Sequence, residues 1–241
     1  MINVKHINVK DWNKVIVVGD IHGSYDELME LLDNVNFNFS TDLCICCGDL
    51  VDRGEKSMKC LNLIYEPWFL SIEGNHERML CDWIDDNFDS DLFIQNGGLW
   101  AYSEDRDVLK GITLDIPQKC PNLIVIDTGS NRKTMLVHAE LNLDHITEPA
   151  LSEKWFEQVT KPRIKGLWEC PVHQWERHYI YPNKRAELLK NPALNDPQFP
   201  NIISGHTIVD DVVELQKNDW SWSFIDTGAY YTGKLSHVRL K

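Results

Sequence analysis

The sequence lacks the features that mark membrane-spanning, exported and polyanion-binding proteins. No apolar run approaches the roughly 20 residues that cross a bilayer, and charges interrupt the N-terminal segment, where a signal peptide would be hydrophobic. Basic residues are few, with 24 Lys and Arg against 37 Asp and Glu and a formal net charge of −13. Such a surface repels nucleic acids and anionic membranes. We therefore expect a cytoplasmic protein that binds neither.

A disulfide framework is also missing. The seven cysteines are odd in number and irregularly spaced, which fits a reducing compartment. Cys44 and Cys47 form a C-x-x-C, but the run from 43 to 47 is typical of a buried strand, and the two thiols would point to opposite faces. No second pair completes a zinc site. These cysteines are predicted to be small hydrophobic core residues.

Short apolar runs alternate with helical patterns in the first half of the chain, as in βαβα folds. Buried strands are predicted at 15–18, 43–47 and 69–72, each followed by a helix, and Ser24-x-x-Glu27 predicts a capping box at the first helix. The second half is richer in strands, which are predicted at 123–126, 135–138, 202–204, 212–215, 223–225 and 235–240. No linker divides the sequence, so residues 1–241 are expected to form one domain.

Polar side chains recur where five of these strands end. They are Asp20 and His22, Asp49 and Asp52, Asn75 and His76, His138, and His206. Ligand sites in open α/β sheets gather at the carboxyl ends of strands, so these side chains are expected to converge. A single Asp after a strand is commonly a helix cap, and a lone His is commonly a core residue. Together, however, the mixed oxygen and nitrogen ligands indicate a site for divalent metals.

Three of these segments carry a family resemblance. G-D-I-H-G at 19–23, G-D-L-V-D-R-G at 48–54 and G-N-H-E at 74–77 resemble the signatures of the PPP family of metallophosphoesterases. V-H-A at 137–139 and G-H-T at 205–207 are similar to its two downstream histidine motifs. P-W-F at 67–69, N-G-G at 96–98 and the compact size most resemble the group containing the bacteriophage lambda serine/threonine protein phosphatase and its small bacterial relatives.

This resemblance covers residues 15 to about 233 and implies a fold and a metal centre. The implied fold is an α/β calcineurin-like metallophosphoesterase sandwich, with two mixed β-sheets flanked by helices and the metal site at strand ends. Two divalent ions, manganese by expectation and iron or zinc as alternatives, would be bound by six residues. They are Asp20, His22, Asp49, Asn75, His138 and His206. The first three would bind one ion and the last three the other, with Asp49 bridging both.

The resemblance also implies catalytic roles for residues that bind no metal. A hydroxide shared by the two ions would attack phosphorus in line, and His76 would protonate the leaving group as general acid. Asp52 would orient that imidazole, as a carboxylate orients other catalytic histidines. Arg53 has a planar guanidinium group that can donate hydrogen bonds to two phosphate oxygens at once.

Arg177 and Glu140 are less simply matched to the family pattern than the motif residues. Arg177, after Trp175-Glu176, is assigned as the second phosphate-binding arginine, although the segment 167–171 resembles another family landmark and leaves the alignment open. Glu140 stands where relatives often have glycine, and it is expected to narrow the site or alter access.

A cysteine-based mechanism is the rival chemistry within the same motif. Cys47-x5-Arg53 fits the spacing of the tyrosine phosphatase loop, in which a thiolate attacks phosphorus. Here Asp49 and Asp52 would lie in that loop, and two carboxylates would repel the phosphate dianion. The thiol mechanism is therefore disfavoured.

Three functions from different classes follow from these residues. The leading hypothesis is a phosphoric monoester hydrolase, a serine/threonine protein phosphatase acting on phosphoproteins or phosphopeptides. The alternative is a symmetrical dinucleoside polyphosphate hydrolase that cleaves diadenosine tetraphosphate. A non-catalytic metal-binding module is disfavoured, because Asp52, Arg53 and His76 would have no purpose in it.

Overall fold

Two β-sheets packed face to face form the centre of the computed structural model. It describes residues 2–143, 146–161, 174, 177–179 and 181–241. The strands are β1 (Val4–Asn8), β2 (Val15–Val18), β3 (Leu43–Cys46), β4 (Phe69–Ser71), β5 (Leu123–Asp127), β6 (Thr134–Val137), β7 (Asn201–Ser204), β8 (Val213–Lys217), β9 (Trp220–Phe224) and β10 (His237–Arg239). One sheet has the order β1-β5-β6-β7-β9-β8 and the other β10-β2-β3-β4. Both sheets combine parallel and antiparallel pairs, as predicted for the two mixed sheets.

Helices cover the outer faces of this sandwich. They are α1 (Tyr25–Asn34), α2 (Ser57–Asn62), α3 (Asn75–Ile84), α4 (Ser90–Gln95), α5 (Arg106–Lys119), α6 (Glu153–Val159), α7 (Pro182–Leu188) and α8 (Ala229–Thr232), with short 3-10 helices at Val9–Asp11, Leu63–Tyr65, Gly98–Ser103 and Pro192–Asn195. Within the described ranges, none of them is long and apolar enough to cross a membrane.

Alternation along β2 shows how the strands build three apolar layers. Val15 and Val17 pack between the sheets against Ile124 and Leu136. Ile16 belongs to the layer under the helices that follow β2, β3 and β4. A third layer covers the outer face of the six-stranded sheet. Strands buried on both faces read as continuous apolar runs, which is why the sequence predicts them well.

The parallel strands bring the polar motifs to one end of the sandwich. β2, β3 and β4 run parallel to one another, and so do β6 and β7. Their carboxyl ends lead into the segments that contain the predicted site residues. The backbone N–H of Gly205 donates to the carbonyl of His138 at 2.9 Å, which joins the two histidine segments directly.

Several local expectations differ from the structure. β1 is not among the predicted strands. Its exposed residues Lys5 and His6 interrupt the apolar run from which the other strands are predicted. Ser24 occupies the N-cap of α1, but its side chain makes no capping hydrogen bond, so the predicted capping box is wrong. The strands predicted at 212–215 and 223–225 extend towards each other as a hairpin, in which Lys217 pairs with Trp220 and Asn218 has a φ of 56°.

Candidate active site

Asp49 lies between two clusters of possible metal ligands. His22 and His76 form one group with it, and His138 and His206 form the other. In each group, one ligand atom per residue lies within 4.8 Å of the others. Asp49 Oδ2 is 3.3 Å from His22 Nε2, and Oδ1 is 3.4 Å from His138 Nε2. One carboxylate oxygen of Asp49 therefore faces each group.

Backbone carbonyls orient two of the imidazoles. His22 Nδ1 donates to the carbonyl of Val51 at 2.7 Å, and His138 Nδ1 donates to the carbonyl of Cys47 at 2.7 Å. A carbonyl can only accept, so these bonds leave the Nε2 atoms facing the site. Ligating histidines are commonly oriented in this way by their second nitrogen.

The surroundings of His138 Nε2 favour a cation. Asn75 Oδ1 lies 2.8 Å from it and Asp49 Oδ1 lies 3.4 Å away, and both are acceptors. Burial opposes charge on His138, yet Asp49 and the Cys47 carbonyl raise its pKa overall. Positive charge at Nε2, from a proton or a metal, satisfies these oxygens.

Asp20 and His206 contain buried atoms that have no partner in the described part of the chain. Asp20 Oδ2 accepts the backbone N–H of His206 at 2.9 Å, whereas Asp20 Oδ1 and His206 Nε2 are unpaired. Burial, with the carboxylates of Asp226 and Asp49, raises the pKa of Asp20 well above its usual value. Unpaired buried polar atoms are costly, and coordination would satisfy them. The residues present thus fit divalent metal ions, although Asp20 lies outside both groups and His76 is found in the first.

Glycines allow the backbone to approach these carboxylates closely. A Cβ on Gly205 would lie 1.9 Å from Asp20 Oδ1, and one on Gly74 would lie 2.2 Å from Asp49 Oδ1. Three predicted ligands also have left-handed backbones, with φ of 45° at His22, 51° at Asp49 and 63° at His206. Non-glycine residues in this region are commonly held at functional sites.

Glu77 holds the Asp49 loop in place, a role that the motif alone did not reveal. Its carboxylate is fully buried and accepts the backbone N–H groups of Asp49 at 2.9 Å, Leu50 at 2.7 Å and Gly74 at 2.9 Å. Burial and the charge of Asp49 raise the pKa of Glu77 to about 7. This carboxylate ties the G-D-L-V-D-R-G and G-N-H-E segments together.

His76 and Asp52 are paired as predicted. His76 Nδ1 donates to Asp52 Oδ2 at 2.6 Å, and both side chains are buried. Burial lowers the pKa of His76 despite the carboxylates of Asp49 and Asp52. His76 Nε2 faces the cluster, 3.8 Å from Asp49 Oδ2. One nitrogen is therefore fixed by Asp52, and the other faces Asp49.

Arg53 extends over the first cluster. Its Nη1 donates to His22 Nε2 at 3.0 Å, and its Nη2 lies 3.2 Å from His76 Nε2. The guanidinium carbon is 5.2 Å from the ring centroid of Tyr230, and this ring makes a T-shaped contact with the imidazole of His22. A metal at His22 Nε2 would displace this hydrogen bond and free the guanidinium for another acceptor. Tyr230 is not among the residues predicted from the motifs.

Arg177 lies beside the second cluster, and Glu140 holds the residues that follow Arg177. Arg177 is exposed, and its Nη2 lies 3.5 Å from the carbonyl oxygen of His206. Glu140 is buried and accepts the backbone N–H groups of His178 at 2.8 Å and Tyr179 at 2.7 Å. Its carboxylate thus supports the segment directly after Arg177. Residues 175–176 and the competing landmark at 167–171 lie outside the described residues.

Cys47 lacks the environment of a nucleophile. The thiol is buried, and burial together with Asp20 and Asp226 raises its pKa well above the usual value. Reactive cysteines are partly exposed and have depressed pKa values. The expectation that it is a small core residue agrees with its place between the sheets.

Cys47→Ser is expected to keep hydrolysis of an aryl phosphate within about threefold of the unchanged protein, because the buried thiol lacks the exposure and the depressed pKa of a nucleophile. The buried hydroxyl should lower stability by about 1–3 kcal/mol. Activity per folded protein and the unfolding midpoint check this, with Cys44→Ser in the preceding strand β3 as the control. A folded, metal-loaded Cys47→Ser protein without activity would revive the thiol mechanism.

Comparison with known proteins places this geometry in a family. The family model described as calcineurin-like phosphoesterase matches residues 13–210. The chain belongs to the calcineurin-like phosphoesterases. The family predicted from the three motifs, the metallophosphoesterases, is thereby confirmed, and so is the predicted sandwich fold.

Individual calcineurin-like phosphoesterases resemble the chain to different extents. Serine/threonine-protein phosphatase 1 of Salmonella typhimurium (strain LT2) is 43% identical over 241 residues, which cover 98% of this chain and 96% of that protein. Symmetrical bis(5'-nucleosyl)-tetraphosphatase of Actinobacillus pleuropneumoniae serotype 3 (strain JL03) is 48% identical over 66 residues, 27% of this chain and 24% of that protein. The crystal structure of a candidate diadenosine tetraphosphatase has a TM-score of 0.61 at 22% identity, over 99% of this chain and 94% of that one. At this identity the likeness concerns the fold.

Proposed function

We propose that this calcineurin-like phosphoesterase is a serine/threonine protein phosphatase that hydrolyses phosphate monoesters on phosphoproteins. The observation that carries the proposal is the buried His76–Asp52 pair beside the shared Asp49. A serine or threonine alkoxide is a poor leaving group and needs a proton, which this pair is arranged to supply. The full-length relative named as a protein phosphatase supports the same substrate class.

The metal ligands are proposed to be the six residues predicted from the motifs. They are Asp20, His22, Asp49, Asn75, His138 and His206. Two divalent cations bound there, manganese by preference, would make hydroxide available near neutral pH and neutralise phosphoryl oxygens. The mixed carboxylate, amide and imidazole ligands suit manganese, iron and zinc.

The remaining side chains bind the substrate and transfer a proton. Arg53, freed from His22, and Arg177 would bind the phosphoryl oxygens. A water molecule loses one proton to solvent, and as its oxygen bonds to phosphorus, the bond between phosphorus and the serine oxygen breaks and its electron pair stays on the serine oxygen. His76 Nε2 gives its proton to this oxygen and takes up another from solvent before the next turnover, while Asp52 keeps the Nδ1–H in place. The products are inorganic phosphate and the free hydroxyl.

Dinucleoside polyphosphates are the less favoured substrate. Such a molecule carries several negative charges beyond the attacked phosphate and requires cations along its length. The chain has a formal net charge of −13, and Arg53 and Arg177 are the cations assigned to the site. The same charge argues against nucleic acid or anionic membrane as a partner, which fits a cytoplasmic protein phosphatase.

A phosphoserine peptide is expected to give a kcat/KM at least about tenfold higher than diadenosine tetraphosphate, because one phosphate avoids the extra charge repulsion. Both substrates are compared under the same manganese and salt concentrations. The His76→Asn variant, purified identically, controls for contaminating phosphatases. A clear preference for diadenosine tetraphosphate would replace the proposed function with the alternative.

A further inference from the structure

Asp52 has a second hydrogen-bond partner besides His76. The indole Nε1 of Trp100 donates to Asp52 Oδ1 at 2.6 Å, while His76 Nδ1 donates to Oδ2 at 2.6 Å. Both oxygens of this buried carboxylate are therefore engaged, and the two donors fix its plane. Trp100 is 48 residues away in the sequence and lies in the 3-10 helix Gly98–Ser103.

The segment before Trp100 packs directly on the backbone that carries Asp52. Gly97 has a φ of 103°, and its carbonyl accepts the backbone N–H of Arg53 at 3.4 Å. A Cβ on Gly97 would lie 2.6 Å from that nitrogen, so only glycine permits the contact. On its other side, Trp100 packs against the apolar layer that contains Phe93. The indole is thus held between the helical layer and the Asp52 turn.

The backbone at Asp52 is in a conformation that its neighbours must hold. Asp52 and Arg53 have φ of 72° and 70°. The backbone N–H of Asp52 donates to the hydroxyl of Ser57 at 3.0 Å. These contacts fix the main chain of Asp52. The orientation of its carboxylate is set by the groups that hydrogen-bond to the carboxylate oxygens. Trp100 is the partner that does not take part in the proposed proton transfer.

We propose that Trp100 is a positioning residue, which fixes the carboxylate of Asp52 and thereby aims His76 Nε2 at the leaving-group oxygen. This inference rests on the proposed acid role of His76. A misaligned acid slows the step in proportion to how much the leaving group needs its proton. Loss of the indole N–H is therefore expected to lower kcat most for poor leaving groups, with little change in KM or metal content.

Trp100→Phe tests this by keeping a ring and removing the N–H. Its matched control is Trp68→Phe, because the Trp68 indole also donates to a carboxylate, that of Glu66 at 3.1 Å. Both variants are assayed on aryl phosphates whose phenols span a wide pKa range, so the test is independent of the natural substrate. For Trp100→Phe we expect kcat to fall roughly 10–100-fold for the least acidic phenol and less than about threefold for the most acidic one. Trp68→Phe should not change this dependence.

Two further measurements separate positioning from general damage. In an Asp52→Asn background, Trp100→Phe should have little additional effect, since both changes act on one interaction. In proteins that keep Trp100, the indole N–H resonance of Trp100 should lie further upfield in the Asp52→Asn variant than in the unsubstituted enzyme, while the resonance of Trp68 should be the same in both. This second measurement remains informative if Trp100→Phe folds poorly.

Three results would overturn the inference. They are an equal loss of kcat on all the aryl phosphates, additive effects of Trp100→Phe and Asp52→Asn on kcat, or a Trp100 indole resonance that does not shift in the Asp52→Asn variant. None of these outcomes depends on the physiological substrate. A preference for diadenosine tetraphosphate with the expected leaving-group dependence would instead contradict the proposed function and retain the role of Trp100.

Discussion

Asp49→Asn is expected to lower turnover of phosphate esters by at least roughly 10³-fold and to reduce the affinity for both metal ions. Asp49 belongs to both ligand groups, with one oxygen facing His22 and the other facing His138. Oδ1 also accepts the backbone N–H of His76 at 3.0 Å. An asparagine amide would lose the charge and place an NH₂ group against one of these partners. No other predicted ligand belongs to both groups among the described residues.

Metal analysis and kinetics check this expectation together. Exhaustive chelation should abolish hydrolysis of an aryl phosphate by the unsubstituted enzyme, and manganese should restore it. Asp49→Asn should bind less metal and remain inactive in excess manganese. Asp42→Asn is the matched control, because Asp42 is also buried but pairs with Lys14. Full activity at a measured metal content of zero would rule out the dinuclear mechanism.

His76→Asn is expected to lower kcat on a phosphoserine peptide by roughly 10²–10⁴-fold, the usual contribution of a general acid. The loss on an aryl phosphate with an acidic phenol should be smaller, because that leaving group departs without a proton. Two metal ions should remain bound. His76 Nε2 is directed towards the cluster while its Nδ1 donates to Asp52, so the variant loses a proton donor rather than a required ligand.

The metal count makes this experiment decisive, because His76 also lies within the first ligand group. A variant that loses one metal ion would identify His76 as a ligand. Equal losses on the two substrates would remove it from the acid role. His6→Asn, an exposed histidine in β1, controls for the substitution itself.

The sequence by itself determined the strands that are buried on both faces and the residues that follow them. β2 and β3 are continuous apolar runs, and a strand of this kind needs no knowledge of its neighbours to be identified. Because parallel strands end at the same edge, the polar residues after them could be predicted to converge. The pairing of His76 with Asp52 was implied by the family resemblance of their two motifs, and the structure contains it.

Only the tertiary structure decided how these residues are held. Trp100 reaches Asp52 across 48 residues, and Glu140 accepts backbone N–H groups 38 and 39 residues away. Such contacts depend on how the 3-10 helix and the segment after Arg177 pack. The local sequence of neither segment predicts which distant residue it contacts. β1 is recognisable as a strand through its pairing with β5. Local periodicity records which residues are buried, whereas the packing of distant segments determines which polar groups meet.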